Sequence, residues 1–315
     1  MYIDPKNDFA FQYVFGRQEN KDILISFLNA VLKMPPDEKL TDITIMETKL
    51  DKELLHEKSA RLDIRAVTAA REQINIEIQL ANQYNMEKRT LFYWSRMYTG
   101  QLQSGHDYRE LRKTITINIL NFNYINTERY HNIFHITEDH TGVLLTDVLE
   151  IHFLELTKLE KEYSPAQLDD PLVNWLLFLR GVQDEQVKEV LVMKEPAIGK
   201  AMTALDLINQ DREARRLYEI REKARHDEVS LLNSAREEAR AEGLAEGRTE
   251  GRAEGRAEGR AEGRAEGRVE GRAKGKYDKA IEVARAMLRR GIDVKDIADM
   301  TGLTVDEVIR IKGSN

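Results

Sequence analysis

The chain has 315 residues, of which 41% are hydrophobic and 33% charged, and it contains no cysteine. That is enough apolar material for one packed domain with an appendage, and it excludes disulfides, cysteine–zinc sites and thiol chemistry. The net charge of −7 argues against a protein that coats nucleic acid over its whole surface, yet it permits a local basic cleft, because charges farther apart than about 10 Å are screened at ~0.1 M salt.

The opening Met1-Tyr2-Ile3-Asp4-Pro5-Lys6 has neither a basic stretch nor an apolar run, so it does not read as a signal peptide. No stretch approaches the ~20 apolar residues of a membrane span. A cytoplasmic protein with no membrane partner is expected.

Residues 7–33 read as one or two helices. Phe9, Phe11, Tyr13, Val14 and Phe15 precede Gly16, a candidate C-cap. Ile23, Phe27, Leu28 and Val31 recur at helical spacing until Pro35-Pro36. Strands are predicted near 43–48, 60–67 and 73–80. A helix from about Asn85 would turn Leu91, Trp94, Tyr98 and Leu102 to one face. Strands return near 114–121 and 147–154, an α-β-β-β-α-β order that suits a small α/β core. From Pro165 the pattern is helical through Val173, Leu176, Leu177 and Arg180-Gly181, then over 185–193 and 197–209, and highly charged over 211–240.

Glu-Gly-Arg-Ala then repeats from Glu246 to Ala273, with Thr249 and Val269 as variants and glycine at every fourth position from Gly243 to Gly275. On a helix every i,i+4 charge pair in this pattern is like with like, and each glycine costs about 1 kcal/mol against alanine. A solvated spacer is the favoured reading. The alternative is a helix whose glycine stripe lets a second copy approach. The last segment, Tyr277 to Lys312, fits a helix-turn-helix mask through Ala298, Gly302, Leu303 and Val308. Thr304-x2-Glu307 reads as a capping box, and the acids Asp306 and Glu307 stand where base contacts would fall, which argues against sequence-specific reading of DNA.

The chemistry concentrates in two alternating runs. In Ile74-Asn75-Ile76-Glu77-Ile78-Gln79-Leu80 the period of two puts Asn75, Glu77 and Gln79 on one face and the aliphatics on the other. Arg61-Leu62-Asp63-Ile64-Arg65-Ala66-Val67 alternates likewise. Folded as a hairpin about Ala70, the two runs set Asp63 opposite Glu77, with Cβ atoms roughly 4.5–5.5 Å apart. Like charges there destabilise a sheet, and a divalent cation between them would be a reason for both. The plainer alternative is a half-exposed hairpin with Asp63 paired to Arg61 or Arg65.

Asp63 followed by Glu77-x-Gln79 resembles the signature of the PD-(D/E)xK nuclease superfamily, in the variant with Gln for Lys. The opening Lys6-Asn7-Asp8-Phe9-Ala10-Phe11-Gln12-Tyr13-Val14-Phe15-Gly16 resembles the Rpn family of recombination-promoting nucleases, a transposase-like branch. Arg89-x3-Tyr93-x4-Tyr98, Gly105-x2-Tyr108-x2-Leu111 and Thr116-Ile117-Asn118-Ile119-Leu120 extend the likeness over roughly residues 1–130. The resemblance implies a restriction-endonuclease-like α/β core, a mixed central sheet flanked by helices, here with an all-helical C-terminal extension. The expected divisions are a nuclease-like core over 1–160, a helical region over 161–240, the repeat over 241–276 and a small helical unit over 277–315.

It also implies a metal-dependent DNA endonuclease linked to recombination or transposition. Asp63, Glu77 and Gln79 would be catalytic. Asp63 and Glu77 suit Mg²⁺, or Mn²⁺ or Ca²⁺, which prefer oxygen ligands. The Ile78 backbone carbonyl would add a third oxygen, and Asp8 a further acid from the first helix unless Asn7 or Asp8 serves only as a cap. Gln79 is neutral, so its role would be to position a water or phosphate and not to transfer a proton. Arg89, Tyr93 and Arg96, at i, i+4 and i+7 on one helical face, are candidates for contact with DNA; the alternative is a solvated face. His131, His135 and His140 suggest metal spacing, but Ile133-Phe134-His135-Ile136-Thr137 favours a strand. The rival function is an oligomeric nucleic-acid-binding protein with a decayed nuclease site, assembled as a homo-oligomer through the C-terminal helices.

Overall fold

The computed structural model describes residues 2–46, 63–82, 85–103, 105, 107–159 and 167–314. It divides into two units, Met1–Ser230 and Leu231–Asn315.

In the first unit the initial helical run is two helices, α1 (Asp8–Phe15) and α2 (Lys21–Leu32). Asn7 caps α1, its Oδ1 accepting the N–H groups of Phe9 and Ala10. Gly16 closes α1 by donating its N–H to the Gln12 carbonyl. Lys33 closes α2 in a left-handed conformation (φ 50°), just ahead of Pro35-Pro36. Then come β1 (Ile43–Met46), β2 (Ile64–Thr68), β3 (Gln73–Gln79), α3 (Met86–Thr99), β4 (Thr114–Leu120), β5 (His131–Thr137) and β6 (Leu144–Glu155). The helices α4 (Pro171–Arg180), α5 (Glu185–Lys194), α6 (Pro196–Gln210) and α7 (Arg212–Arg289) follow. Arg61 and Leu62, which open the first alternating run, lie outside the described residues.

Among the described residues six strands form one sheet in the order β1-β2-β3-β4-β6-β5. β3, β4 and β6 are parallel to one another, and β1, β2 and β5 pair antiparallel with their neighbours. This is the expected mixed α/β sheet with flanking helices. Its two faces differ in kind because β3 and β4 alternate as far as Ile119. Ile74, Ile76 and Ile78 align with Ile115, Ile117 and Ile119 and join one large apolar cluster with α1, α2, α4 and α6. Packing does not pause near residue 160: Phe15 touches Phe27 and Trp175, with ring centroids 5.4 and 5.6 Å apart. The first turns of α7 join the same cluster through Ala214 and Tyr218.

The other face carries Gln73, Asn75 and Glu77 beside Thr114, Thr116 and Asn118, all buried. The helix α3 covers it, and here the structure corrects the expected stripe. Leu91 is exposed at 47%, and Leu102 lies beyond the end of the helix. The buried residues of α3 are Met86, Thr90 and Met97. The reason is the polarity of the strands beneath. Thr90 Oγ1 donates to Asn118 Oδ1 at 2.8 Å, and Trp94 Nε1 donates to the Thr114 carbonyl at 2.9 Å. A helix set down on buried polar groups must satisfy them, so hydrogen-bonding capacity, and not apolar spacing alone, chose the face.

The second unit holds the repeat within α7, followed by α8 (Val294–Thr301) and α9 (Val305–Gly313). Gly302 closes α8 at φ 69°, where a side chain would be strained. Thr304 and Glu307 form the expected capping box. Ala284, Ile297, Ala298, Leu303 and Val308 make this unit's own core.

Two outcomes test these packings. Phe15 is fully buried, so Phe15→Ala should cost about 3–5 kcal/mol in denaturant unfolding. A loss under 1 kcal/mol would mean the aromatic cluster does not hold α1, α2 and α4 together. In the repeat, a Cβ added at Gly251, Gly255 or Gly259 meets no atom within 4 Å. Converting the three to alanine should raise helicity by circular dichroism, each change favouring helix by about 1 kcal/mol.

Candidate functional site

The register places the two alternating runs as the hairpin reading requires. Ile64 pairs with Ile76 and Arg65 with Asn75, and one step further Asp63 meets Glu77. The Asp63 N–H donates to Glu77 Oε1 at 3.3 Å, and the Ile78 N–H donates to Asp63 Oδ2 at 2.8 Å. A residue of an extended strand turns its N–H and C=O to the same neighbour. The Gln79 carbonyl accepts from the Asn121 N–H on the β4 side, so the Ile78 carbonyl, one residue earlier, is turned toward Asp63.

Glu77 is only 2% exposed. Burial, and then the Asp63 charge, push its carboxyl up from the usual 4.5 to about 8, against the pull of Arg89. Arg89, on the second turn of α3, reaches Glu77 Oε2 with Nη2 at 3.3 Å and lies over the Tyr93 ring at 5.4 Å. Of the three residues proposed for DNA contact, Arg89 therefore turns inward to the acids. Arg96 lies over the Phe92 ring, 5.9 Å from its centroid. Arg65 Nη2 donates to Gln73 Oε1 at 3.1 Å; Arg61 is outside the described residues.

A cleft of about 310 Å³ opens at Asp63; the buried Glu77 is not part of its lining. Asp8, Asp63, the Ile78–Gln79 segment and Arg89 line it. Asn7 supplies the N-cap of α1, so Asp8 stands on the first turn with Oδ1 on the Phe9 N–H and Oδ2 3.5 Å from Arg221 Nη1. Lys6, Arg221 and Arg225 also line the cleft; sequence reasoning left all three unassigned. For Lys6 the signal was its place beside Asp8. The α7 arginines carried none, since they sit in a charged run that reads as solvated.

The histidines do not converge as a set of three. On β5, His131 Nε2 lies 2.8 Å from His152 Nδ1, while His135 faces Glu150. His152 and Lys113 complete the set around Glu150 at 2.6 and 2.7 Å. Burial opposes ionisation of Glu150, but these partners hold its carboxyl well below the usual range. Burial and the neighbouring His152 lower His131 to about 4, which keeps it neutral near pH 7.

Nearly all of the first unit has a counterpart among known families. Residues 5–235 match the family model described as PD-(D/E)XK nuclease family transposase. The chain belongs to this family. Residues 278–313 match the C-terminal helix-turn-helix domain of the Rpn/YhgA-like nuclease family. No curated protein and no solved structure matches the chain.

Nucleases of the PD-(D/E)XK family generally use divalent metals, and the donors here fit such an ion. Among the described residues no three His, Cys, Asp or Glu side chains converge. The register sets the Asp63 and Glu77 side chains opposite each other, with the Ile78 carbonyl turned to the same side, and an all-oxygen set completed by water suits Mg²⁺. Two acids crowded in a buried position also give a cation something to neutralise.

The raised Glu77 carboxyl has a pH signature. It binds a proton more tightly folded, near 8, than unfolded, near 4.5, so its contribution to stability is full below the lower value and is lost as pH rises through the upper one. In chelator, Glu77→Gln should therefore melt increasingly above the wild type as pH rises from 5 to 9. A melting-temperature difference that is flat with pH would show that Glu77 is ionised at no cost.

Proposed function

We propose that this PD-(D/E)XK nuclease family protein is a metal-dependent DNA endonuclease that makes strand breaks for recombination or transposition in the cytoplasm. The observation that carries the reading is the facing of Asp63 and Glu77, with Ile78 turned to the same point. Bound there, Mg²⁺, or Mn²⁺ or Ca²⁺ in its stead, would neutralise the scissile phosphate and activate a water.

The chain's own residues divide the remaining work. Asp63 and Glu77 hold the metal site, with the Ile78 carbonyl as a third oxygen and Asp8 available across the cleft. Gln79 offers an amide in place of an ammonium. It donates a hydrogen bond to a phosphate oxygen or accepts one from water, and it takes no proton. Arg89 balances the two acids before substrate enters, and Tyr93 and Arg96 extend a basic and aromatic face along α3. The helix-turn-helix unit adds a second point for engaging DNA. Among the described residues no helix is long and apolar enough to cross a membrane.

A second reading has one observation in its favour. Gln79 is neutral and Arg89 already pairs with Glu77, which suits an oligomeric nucleic-acid-binding protein whose nuclease site has decayed, assembled through its C-terminal helices. Calorimetric titration with Mg²⁺ separates the two: a working site binds the ion in a manner abolished by Glu77→Gln, and a decayed one gives no such heat.

Supercoiled plasmid should be nicked in Mg²⁺ or Mn²⁺, and Asp63→Ala and Glu77→Gln should each slow nicking at least about a hundredfold, a loss of roughly 2.7 kcal/mol in transition-state stabilisation. Equal nicking by wild type and Asp63→Ala would remove Asp63 from the site.

A further inference from the structure

We infer that Arg221 and Arg225, on the third and fourth turns of α7, hold the DNA phosphate backbone over the candidate site, supplying the positive charge that Gln79 lacks; this rests on the nuclease reading above. The two stand at i and i+4 on one helical face, roughly 6 Å apart at Cβ, and both line the cleft that contains Asp63 and Gln79.

Their position is built, not incidental. Tyr218 is buried in the main core, and its hydroxyl accepts the Asp4 N–H at 3.0 Å. One turn later Glu222 Oε2 accepts from Asn7 Nδ2 at 2.9 Å. These two contacts clamp α7 against the segment that enters α1, and so fix the two arginines above Asp8 and Asp63. The contacts all lie within the unit Met1–Ser230.

The other cations of the cleft are committed elsewhere. Lys6 Nζ donates to the carbonyls of Leu179 and Arg180 at 3.3 and 3.0 Å and pairs with Asp4, which closes the end of α4. Arg89 faces Glu77. Arg221 differs: its pair with Asp8 spans 3.5 Å, and both side chains are 47% exposed. An exposed pair of that kind is worth little and is readily exchanged for phosphate. Arg225 is itself held by Glu222 through Nε and Nη2; its side chain is 31% exposed at the cleft, so it adds charge there, while the fork open to exchange is that of Arg221. That fork matches phosphate oxygens in a bidentate manner, which an amide at position 79 cannot do.

The test is anisotropy of a labelled duplex with the full chain in chelator, read as affinity against salt. Each phosphate contact contributes about 0.9 to the slope of log K on log salt. Arg221→Gln/Arg225→Gln should flatten the slope by about 2 and weaken binding about tenfold near 0.1 M salt. The single variant Arg221→Gln, which leaves the Glu222 contacts in place, should flatten it by about 1, and Lys at both positions should restore most of the slope. Arg256→Gln/Arg260→Gln, in the repeat, should leave it unchanged. An unchanged slope in the cleft variants overturns the inference, and so does an equal loss in the repeat variant, which would mean diffuse basic charge holds the DNA. Plasmid nicking separates this from the parent reading. If the wild type nicks and the cleft variants keep their slope and KM, the arginine pair falls and the nuclease stands. If nothing nicks but the slope falls as stated, the nuclease falls and the arginines stand.

Discussion

Glu77 is buried beside another acid, and much of the first unit is arranged around that placement. Antiparallel pairing of β2 with β3 brings Asp63 to it, and burial removes the water that would otherwise screen the two charges. The structure answers with local partners: the Asp63 N–H on one Glu77 oxygen, Arg89 on the other, and the Ile78 N–H on Asp63. Arg89 can reach only if α3 lies on the polar face of the sheet. That in turn requires Thr90 and Trp94 to satisfy Asn118 and the Thr114 carbonyl. A hydrocarbon face beneath α3 would have packed more simply, but it would have had no place for an acid.

The opposite face shows what is gained by segregating the polarity. The isoleucines of β3 and β4 point to α1, α2, α4 and α6, where aromatic rings of three helices interlock around Phe15, while Leu120 at the end of β4 packs with Met86 on the α3 side. The stability that tolerates a strained acidic pair is therefore generated on the far side of the same strands. The site and the core share a backbone but not a surface.

How far this was legible differs from residue to residue. The facing of Asp63 and Glu77 was readable because a period of two and one turn position determine a hairpin register. The strand at His131–Thr137 was readable from its β-branched and aromatic content, and the helix-turn-helix from Ala298, Gly302 and Leu303. The orientation of α3 was legible only in part: Trp94 does meet the sheet, through the Thr114 carbonyl, but Leu91 does not, because the facing strands are polar and take Thr90 instead. Arg221 and Arg225 were invisible for a related reason. Nothing in a run of alternating charges marks two of them as docked; that depends on Tyr218 finding Asp4 more than two hundred residues away.

The grip of Ile78 on Asp63 is made by the main chain. Any residue except proline presents the same N–H at position 78, so genetic drift there is free to exchange one aliphatic side chain for another without touching the contact. A survey that replaces side chains one at a time would pass over this position as ordinary core. Part of the acidic centre is thus written in strand geometry and has no codon of its own.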